Sequence, residues 1–412
     1  MPTDMTRVLA LNSGSSSLKF ALYAVRVGAD EQPVASGQLA PIGGEAGQLT
    51  LRDMAGGPSL DQRVPLPTHA AALRLLLETL SAHAASWSYY AVGHRVVHGG
   101  ADFSAPTRIT SDVIRTLQGL IPLAPEHLPQ AISIIEAVAD AHPAVPQVAC
   151  FDTAFHHAMP AVARTYALPR ALTEGGRLRR YGFHGLSYES ICAALERQGD
   201  HAAAGGRLVI AHLGNGASLC AVRAGHSVDT TMGFSPSGGL VMGTRTGDLD
   251  PGVVLYLLEL HHLTTSQVRS VLNHESGLLA LSAGARAGSA DVRELLAREA
   301  DDPAAALALA VFCYQAKRHL GALVAVLGGL DALVFTGGIG EHASAIRARI
   351  CDGLGVLGIE LDAARNAAGA PVISSGTSAV TVRVMATEEE RMIARHTAAV
   401  LRTQHAPPPP GE

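Results

Sequence analysis

The chain has 412 residues, 48% of them hydrophobic and only 16% charged. This is the composition of a globular chain of two or three domains, each able to bury a full core, and it excludes a disordered one. The net charge of −5 argues against a nucleic-acid or anionic-membrane partner, so any positive field must be local.

The five cysteines (Cys150, Cys192, Cys220, Cys313 and Cys351) are scattered and include no CxxC pair. They read as reduced core residues of a cytoplasmic protein, without a metal or redox role. The start MPTDMTR leads straight into a strand and reads as no signal peptide. No apolar run reaches the roughly 18–20 residues of a membrane helix.

In chain order, residues 7–23 (RVLALNSGSSSLKFALY) alternate apolar strand, polar Gly/Ser turn and apolar strand. Residues 28–67 suggest short antiparallel strands, and Thr68 is placed to cap an apolar helix. Tyr89–Val97 reads as a strand carrying His94 and Arg95 towards HGG; Arg95 is either a ligand-binding cation or a salt-bridge partner. The loop 121–129 carries Glu126 and His127 ahead of another apolar helix. Asp152 follows the strand Gln147–Phe151, where open α/β sheets place reactive groups, although an N-cap reading is equally open. The basic turn Arg177, Arg179, Arg180 reads by itself as a solvated face, and His184 beside Phe183 as a core histidine.

Residues 207–223 repeat the opening design, with Gly214 and Gly216 in a turn of little bulk that lets backbone N–H groups approach an anion. Laid over 7–23 without a gap, Gly14 falls on Gly214, Ser15 on Asn215 and Ser16 on Gly216. Two such units half a chain apart imply a duplicated architecture with ligand held in a cleft between two lobes. Arg245 then sits among glycines, ahead of Asp248 and Asp250. Residues 252–330 read as mostly helical, and 330–347 as a strand, a Gly-rich turn and a helix whose N-terminus suits an anion. The last helix starts on Glu388–Glu390, which its dipole alone would explain, and APPPPGE reads as a disordered tail. GxxxxGK[ST], HExxH and GxSxG are absent, and no GxGxxG stands in the right context, so phosphate binding falls to the hairpin turns.

NSGSSSLKF, GHRVVHGG, FDTAFH, RRYGFHG, HLGNGAS, MGTRTGDLDP, ADVRE, FTGGIGE and the Glu-rich stretch before MIARHT run in order from residue 7 to about 400. Together they resemble the acetate kinase family. The resemblance implies an α/β fold of two duplicated RNase H-like domains of the actin/hexokinase/heat-shock-chaperone type. The lobes would be 7–155, completed by a helix at 391–403, and 156–390, with 404–412 a tail. It implies reversible, Mg²⁺- (or Mn²⁺-) dependent phosphoryl transfer from ATP to acetate, yielding ADP, in a cytoplasmic homodimer.

By residue, the resemblance makes Arg95, Asp152, His184 and Arg245 the catalytic groups. Arg95, Val97, His127, Phe183 and Pro236 would bind the substrate, with Val97, Phe183 and Pro236 as its acyl slot. Lys19, His212–Gly216 (with Leu213, Gly214 and Asn215), Asp291, Val292, Arg293, and Gly338, Ile339, Gly340, Glu341 and His342 would bind nucleotide; Ser15 and Ser17 would line the phosphate end beside Lys19. Asn12 and Glu389 would bind the metal; counting back from MIAR favours Glu389 over Glu388.

The chain departs from the pattern at APEHLP, where Glu126 and Leu128 replace an apolar residue and Asn, at HGLSY for HGTSH, at His342 for Asn, and in an ARAG-like insertion before Asp291. These departures bear on substrate identity and nucleotide affinity. Two rivals stay open: a kinase for propionate or another short acid, and a non-catalytic nucleotide-binding relative. An unpaired buried carboxylate costs several kcal/mol, so Glu126 must face water, pair with an arginine or be protonated. If it competes for Arg95, Glu126→Leu lowers KM for acetate; an unchanged KM removes that competition.

Overall fold

The computed structural model describes residues 5–403 apart from 15, 27, 55 and 58; the readings of Ser15 and of the 404–412 tail lie outside them. The chain forms two compact units, one of residues up to Ala154 together with those from Glu388, the other Phe155–Thr387.

The first unit contains β1 (Met5–Ser13), β2 (Leu18–Arg26), β3 (Gln32–Ala40), β4 (Gly44–Asp53), β5 (Leu60–Leu66), β6 (Ala91–Val96), β7 (Thr107–Arg108) and β8 (Gln147–Phe151). They form one sheet in the order β5-β4-β3-β2-β1-β6-β8-β7. Neighbours from β1 to β5 are antiparallel, whereas β6 joins β1, and β8 joins β6, in parallel. A parallel neighbour needs a crossover, and helices supply it. The first is His69–Ala82, capped by the Thr68 hydroxyl accepting from the Ala71 amide at 3.1 Å; the second includes Leu128–Ala141.

β1 is buried on both faces, which explains its unbroken apolar run. Leu9 and Leu11 pack with Leu73, Leu76, Leu80 and Trp87 on one side, and Val8 with Ala394 and Ala398 on the other. The latter two belong to the helix Glu389–Thr403, which lies across β1, β2, β6 and β8. Its close seating requires glycine at position 93 of β6, because a Cβ there would overlap Ile393 and Thr397. The returning segment begins at Glu388, so Glu388–Glu390, assigned from sequence to the second lobe, belong to the first unit.

The second unit is built on β9 (Arg207–Leu213), β10 (Ala217–Arg223), β11 (His226–Thr230), β12 (Ala332–Thr336) and β13 (Thr381–Val384), in the order β11-β10-β9-β12-β13. Its antiparallel hairpins and parallel additions repeat β3-β2-β1-β6-β8 strand for strand. The duplication read from two hairpins therefore extends over five strands in each unit. The helix Gly185–Arg197 packs Tyr188, Ile191 and Leu195 on Leu208, Ile210 and Val222. A long helix, Pro303–Leu327, links β11 to β12; Asp302 caps its start and Gly328, at φ 70°, ends it.

The ungapped superposition of the hairpins is corrected by one residue. Ser13 pairs with Leu18 but Leu213 pairs with Ala217, so the first turn is one residue longer. Its closing bond runs from the Gly14 amide to the Ser17 carbonyl, against Gly214 to Gly216 in the second. Alignment by residue type cannot see this extra residue, because both turns are small and polar.

One ion cluster pins the C-terminal helix. The Glu31 carboxylate, 4% exposed, accepts from Arg395 at 2.5 and 2.8 Å and from Arg391 at 3.0 Å. Burial pushes its pKa up, but the hydrogen bonds from Arg395 and Arg391 win and hold it at about 2, against an ordinary 4.5. A carboxyl lowered by folding adds stability above its unfolded value, here on the order of 3 kcal/mol. That stability is lost as pH falls from 4.5 towards 2. Calorimetry is therefore expected to show a lower Tm for Glu31→Gln at neutral pH, and a shallower loss of Tm on acidification through this window than in wild type.

Candidate functional site

In the first unit, the parallel strands β1, β6 and β8 bring their C-terminal ends side by side, and the helix at Glu389 starts beside them. Arg95 of β6 donates from Nε to both oxygens of Asp152, at 3.1 and 3.0 Å, and from Nη2 to Oδ2 at 2.6 Å. Its Nη1 donates to Asn12 Oδ1 at 3.1 Å. The Asn12 amide in turn donates to Glu389 Oε2 at 2.7 Å and Glu390 Oε1 at 2.8 Å. Asp152 is fully buried, and its backbone amide is held by the Val96 carbonyl at 3.0 Å. Burial disfavours the Arg95 cation, but Asp152 and then Glu389 more than offset this, and the pKa is raised. Arg95 is thus a permanent charge, and the salt-bridge reading of it is the one observed.

The cluster sets one guanidinium among three carboxylates, an oxygen-rich and net negative environment. The donor set fits a hard divalent ion such as Mg²⁺, which binds one or two carboxylates and keeps its other positions for water and phosphate. Among the described residues no group of three or more His, Cys, Asp or Glu is arranged to hold a metal ion.

The neighbours of this cluster divide clearly. Val97 follows β6 and is 9% exposed, and His127 is half-buried just before the helix Leu128–Ala141. Lys19 is exposed on β2, in register with Asn12. Leu128 is fully buried with Val96, Leu117 and Phe151, so this departure from the family pattern serves the core. Glu126 is half-buried. His94 turns away from Arg95 to meet Gln147 Oε1 at 2.7 Å; burial holds its pKa near 4, and it is neutral.

The second unit gathers His184, His212, Arg245 and the turn 214–216. His184 has the left-handed backbone (φ 57°, ψ 24°), uncommon for a residue with a Cβ. Behind it, the buried His156 hydrogen-bonds the Phe183 carbonyl at 2.9 Å and Ser227 Oγ at 2.8 Å. The His184 ring stacks on His212, centroids 4.2 Å apart and planes 23° apart. Its Nδ1 meets Ser218 Oγ at 2.8 Å, and His212 Nδ1 meets Ser187 Oγ at 2.8 Å. Arg245 donates to the Pro236 carbonyl at 2.6 Å, which brings together two residues named from sequence. Gly216 makes this approach possible, since a Cβ there would stand 3.2 Å from Arg245 Nη2 and 3.3 Å from His184 Nε2. The Gly243 amide donates to the Asn215 carbonyl at 3.1 Å, fixing the turn against the segment that carries Arg245.

The remaining named residues are placed less directly. Leu213 and Val292 are buried, so only their backbones are presented. Asp291 caps the helix Val292–Arg298, accepting from the Arg293 amide at 2.8 Å, and pairs with the exposed Arg293 guanidinium at 2.6 Å. The Gly-rich turn expected before a helix is itself the helix Gly337–His342. Its first amide, Gly337, donates to Glu341 Oε1 at 3.0 Å. Gly338 and His342 are exposed, Ile339 is half-buried and Gly340 is buried. Phe183 is 1% exposed and belongs, like Pro236, to the second unit, whereas Val97 belongs to the first.

Sequence reasoning missed four hydroxyls around the imidazoles. Ser218 closes the HLGNGAS motif, Ser187 and Tyr188 lie in HGLSY, and Thr387 precedes the glutamates. Only the HGLSY departure gave a signal.

A family model described as the acetokinase family matches residues 7–395. Curated acetate kinases from Rhodopseudomonas palustris and Methylocella silvestris are 48% and 47% identical. The first alignment covers 94% of this chain and 97% of the relative, the second 96% and 98%. Among solved structures, a propionate kinase from Francisella tularensis aligns with TM-score 0.87 at 34% identity, covering 96% of this chain and 100% of that one. The acetate kinase of Porphyromonas gingivalis aligns with TM-score 0.82 at 37% identity, with the same coverage.

Proposed function

The chain belongs to the acetokinase family, and from that premise we propose that it is an acetate kinase. It would transfer the γ-phosphoryl group of ATP reversibly and in line to the carboxylate of acetate. The observation that carries this reading is the fixed guanidinium of Arg95, set at the ends of β1, β6 and β8 by Asp152 and Asn12.

The reaction brings two anions together and spreads negative charge over three phosphoryl oxygens. Arg95 and Arg245 supply permanent positive charge against that repulsion. At about 4 Å, one such pair is worth roughly 4 kcal/mol at an effective dielectric near 20. Asp152 holds the Arg95 side chain in one orientation, so less ordering is needed when substrate binds. His184 donates a hydrogen bond to an equatorial oxygen. The turn 214–216, with His212, receives the phosphates, assisted by Lys19 and by the backbones at 291–293 and 338–342. Val97, His127, Phe183 and Pro236 bind the acyl end.

Glu389 and Asn12 would hold Mg²⁺ or Mn²⁺, directly or through water. Bound there, the ion would offset phosphate charge. Among the described residues no helix is long and apolar enough to cross a membrane. We place the enzyme in the cytoplasm, in keeping with five buried cysteines that are joined in no disulfide among the described residues. Burial pushes the thiols of Cys192 and Cys351 up to about 12 and that of Cys313 to about 11.

The Francisella neighbour makes propionate the second acceptor to test. One methylene changes discrimination by only about 1–3 kcal/mol, so the two acids must be compared directly. A hydroxamate assay with ATP, Mg²⁺ and a panel of short carboxylates is expected to give the highest kcat/KM for acetate. Arginines acting on phosphoryl groups contribute about 10³–10⁵ in rate, so Arg95→Ala or Arg245→Ala is expected to cut kcat at least about 10²-fold, read on protein that thermal unfolding shows to be folded. Near-normal turnover in either variant removes its assignment, and no turnover with any acid in wild type removes the function.

We also propose a homodimer. The helix Pro251–Glu259 buries none of its residues and exposes Val253, Leu255 and Tyr256, with Leu260 just beyond. Light scattering is expected to give twice the chain mass for wild type and the chain mass for a Leu255→Asp, Tyr256→Asp variant. A monomeric wild type overturns the dimer.

A further inference from the structure

Each of the two stacked imidazoles in the second unit is backed by two hydroxyls in series. Ser218 Oγ meets His184 Nδ1 at 2.8 Å and is itself bonded by the Tyr188 hydroxyl. Ser187 Oγ meets His212 Nδ1 at 2.8 Å and accepts from Thr387 Oγ1 at 2.9 Å. Tyr188, Ser218 and Ser187 are all 0% exposed, so bulk water does not compete for these bonds.

Hydrogen counting gives the direction of each chain. A serine hydroxyl has one proton, and it fills both its bonds here by giving that proton to one neighbour and accepting from the other. A phenol is more acidic than an alkyl alcohol, hence the better donor and the poorer acceptor. The first chain therefore runs from Tyr188 to Ser218 to His184 Nδ1. The second runs from Thr387 to Ser187 to His212 Nδ1. An uncharged imidazole that accepts at Nδ1 carries its proton on Nε2.

Both Nε2 atoms lie beside the glycine turn. A Cβ on Gly216 would stand 3.3 Å from His184 Nε2, and one on Gly214 3.8 Å from His212 Nε2. With centroids 4.2 Å apart, two imidazolium charges would repel strongly, so at most one ring is charged at a time. Two aligned N–H donors are thus presented to the turn without a second cation.

We propose that Tyr188 and Thr387 are positioning residues, acting through Ser218 and Ser187 to lock His184 and His212 in the Nε2–H tautomer. The inference rests on the reading of these histidines as phosphoryl and nucleotide donors. It adds what fixes their protons. Losing the terminal hydroxyl leaves a buried serine free to turn its proton away from the ring, and the wrong tautomer presents an acceptor to an anion.

The test uses Tyr188→Phe and Thr387→Val in the full-length enzyme, which remove a hydroxyl and keep the volume. Side-chain ¹⁵N spectra of the ligand-free protein are expected to show Nε2–H at both histidines in wild type. The Nδ1–H form should appear at His184 alone in Tyr188→Phe and at His212 alone in Thr387→Val. In Tyr188→Phe, kcat is expected to fall about tenfold, the scale of one misdirected hydrogen bond, with KM for the carboxylate within about twofold. Thermal unfolding shows whether each variant is folded; where Tyr188→Phe is not, Ser218→Ala reports on the same ring. Unchanged tautomers in folded variants overturn the proposal, even where kcat falls. Because the spectra need no substrate, a wild type that shows the expected tautomers but phosphorylates no carboxylate overturns only the functional reading.

Discussion

A guanidinium at the end of a buried parallel strand is the constraint on which the first unit is built. Arg95 lies where the sheet excludes water, so its charge must be matched by one equally buried, and Asp152 at the end of the neighbouring strand β8 supplies it. Breaking such a pair by removing one partner is typically strongly destabilising, by about 3–5 kcal/mol, because the other charge is left uncompensated. Asp152 therefore has a structural task whatever else it does. The same bond orients the cation, and its strength depends on parallel pairing that places Arg95 opposite Cys150 and leaves Asp152 just past the last strand residue.

The two units share five strands in one order, yet their strand ends do different work. In the first, the hairpin of β1 and β2 contributes a side chain, Asn12, that bridges Arg95 to Glu389 and Glu390. In the second, the hairpin of β9 and β10 contributes a turn, with glycines that admit Arg245 and His184 to within van der Waals reach. Charge is concentrated in the first and backbone access in the second. The additional turn residue of the first hairpin belongs to this divergence.

Much of this was legible in the sequence because it follows from local pattern. The double-faced burial of β1 and β9 shows as unbroken apolar runs, the Thr68 cap as a polar residue ahead of an apolar helix, and Asp152 as a carboxylate directly after a strand. What was not legible depends on tertiary placement. Nothing around Glu31 announces that it will receive two arginines more than 350 positions away, one turn apart on the last helix. Ser187, Ser218 and Thr387 look like ordinary small polar residues, and their role appears only when three segments converge on two rings. Leu128 looked like a change near substrate because motif position was all that sequence offered; its burial among Val96 and Phe151 makes it a packing residue.

The start of the last helix shows how one feature satisfies two demands. Carboxylates at Glu389 and Glu390 suit the positive end of the helix dipole, which is reason enough for acidic residues there. Asn12 then binds one oxygen from each, and Arg95 stands 4.0 Å from Glu389, so these side chains are held in fixed positions. A helix terminus that needed only its dipole satisfied would leave its carboxylates in water. Glu389 is instead 8% exposed. Its desolvation is a cost that the dipole, the Asn12 bond and the nearby Arg95 charge offset. The clamp of Glu31 on Arg391 and Arg395, two and six residues further along, keeps this terminus in place. The stability of the helix and the geometry of the carboxylates thus rest on the same ion cluster.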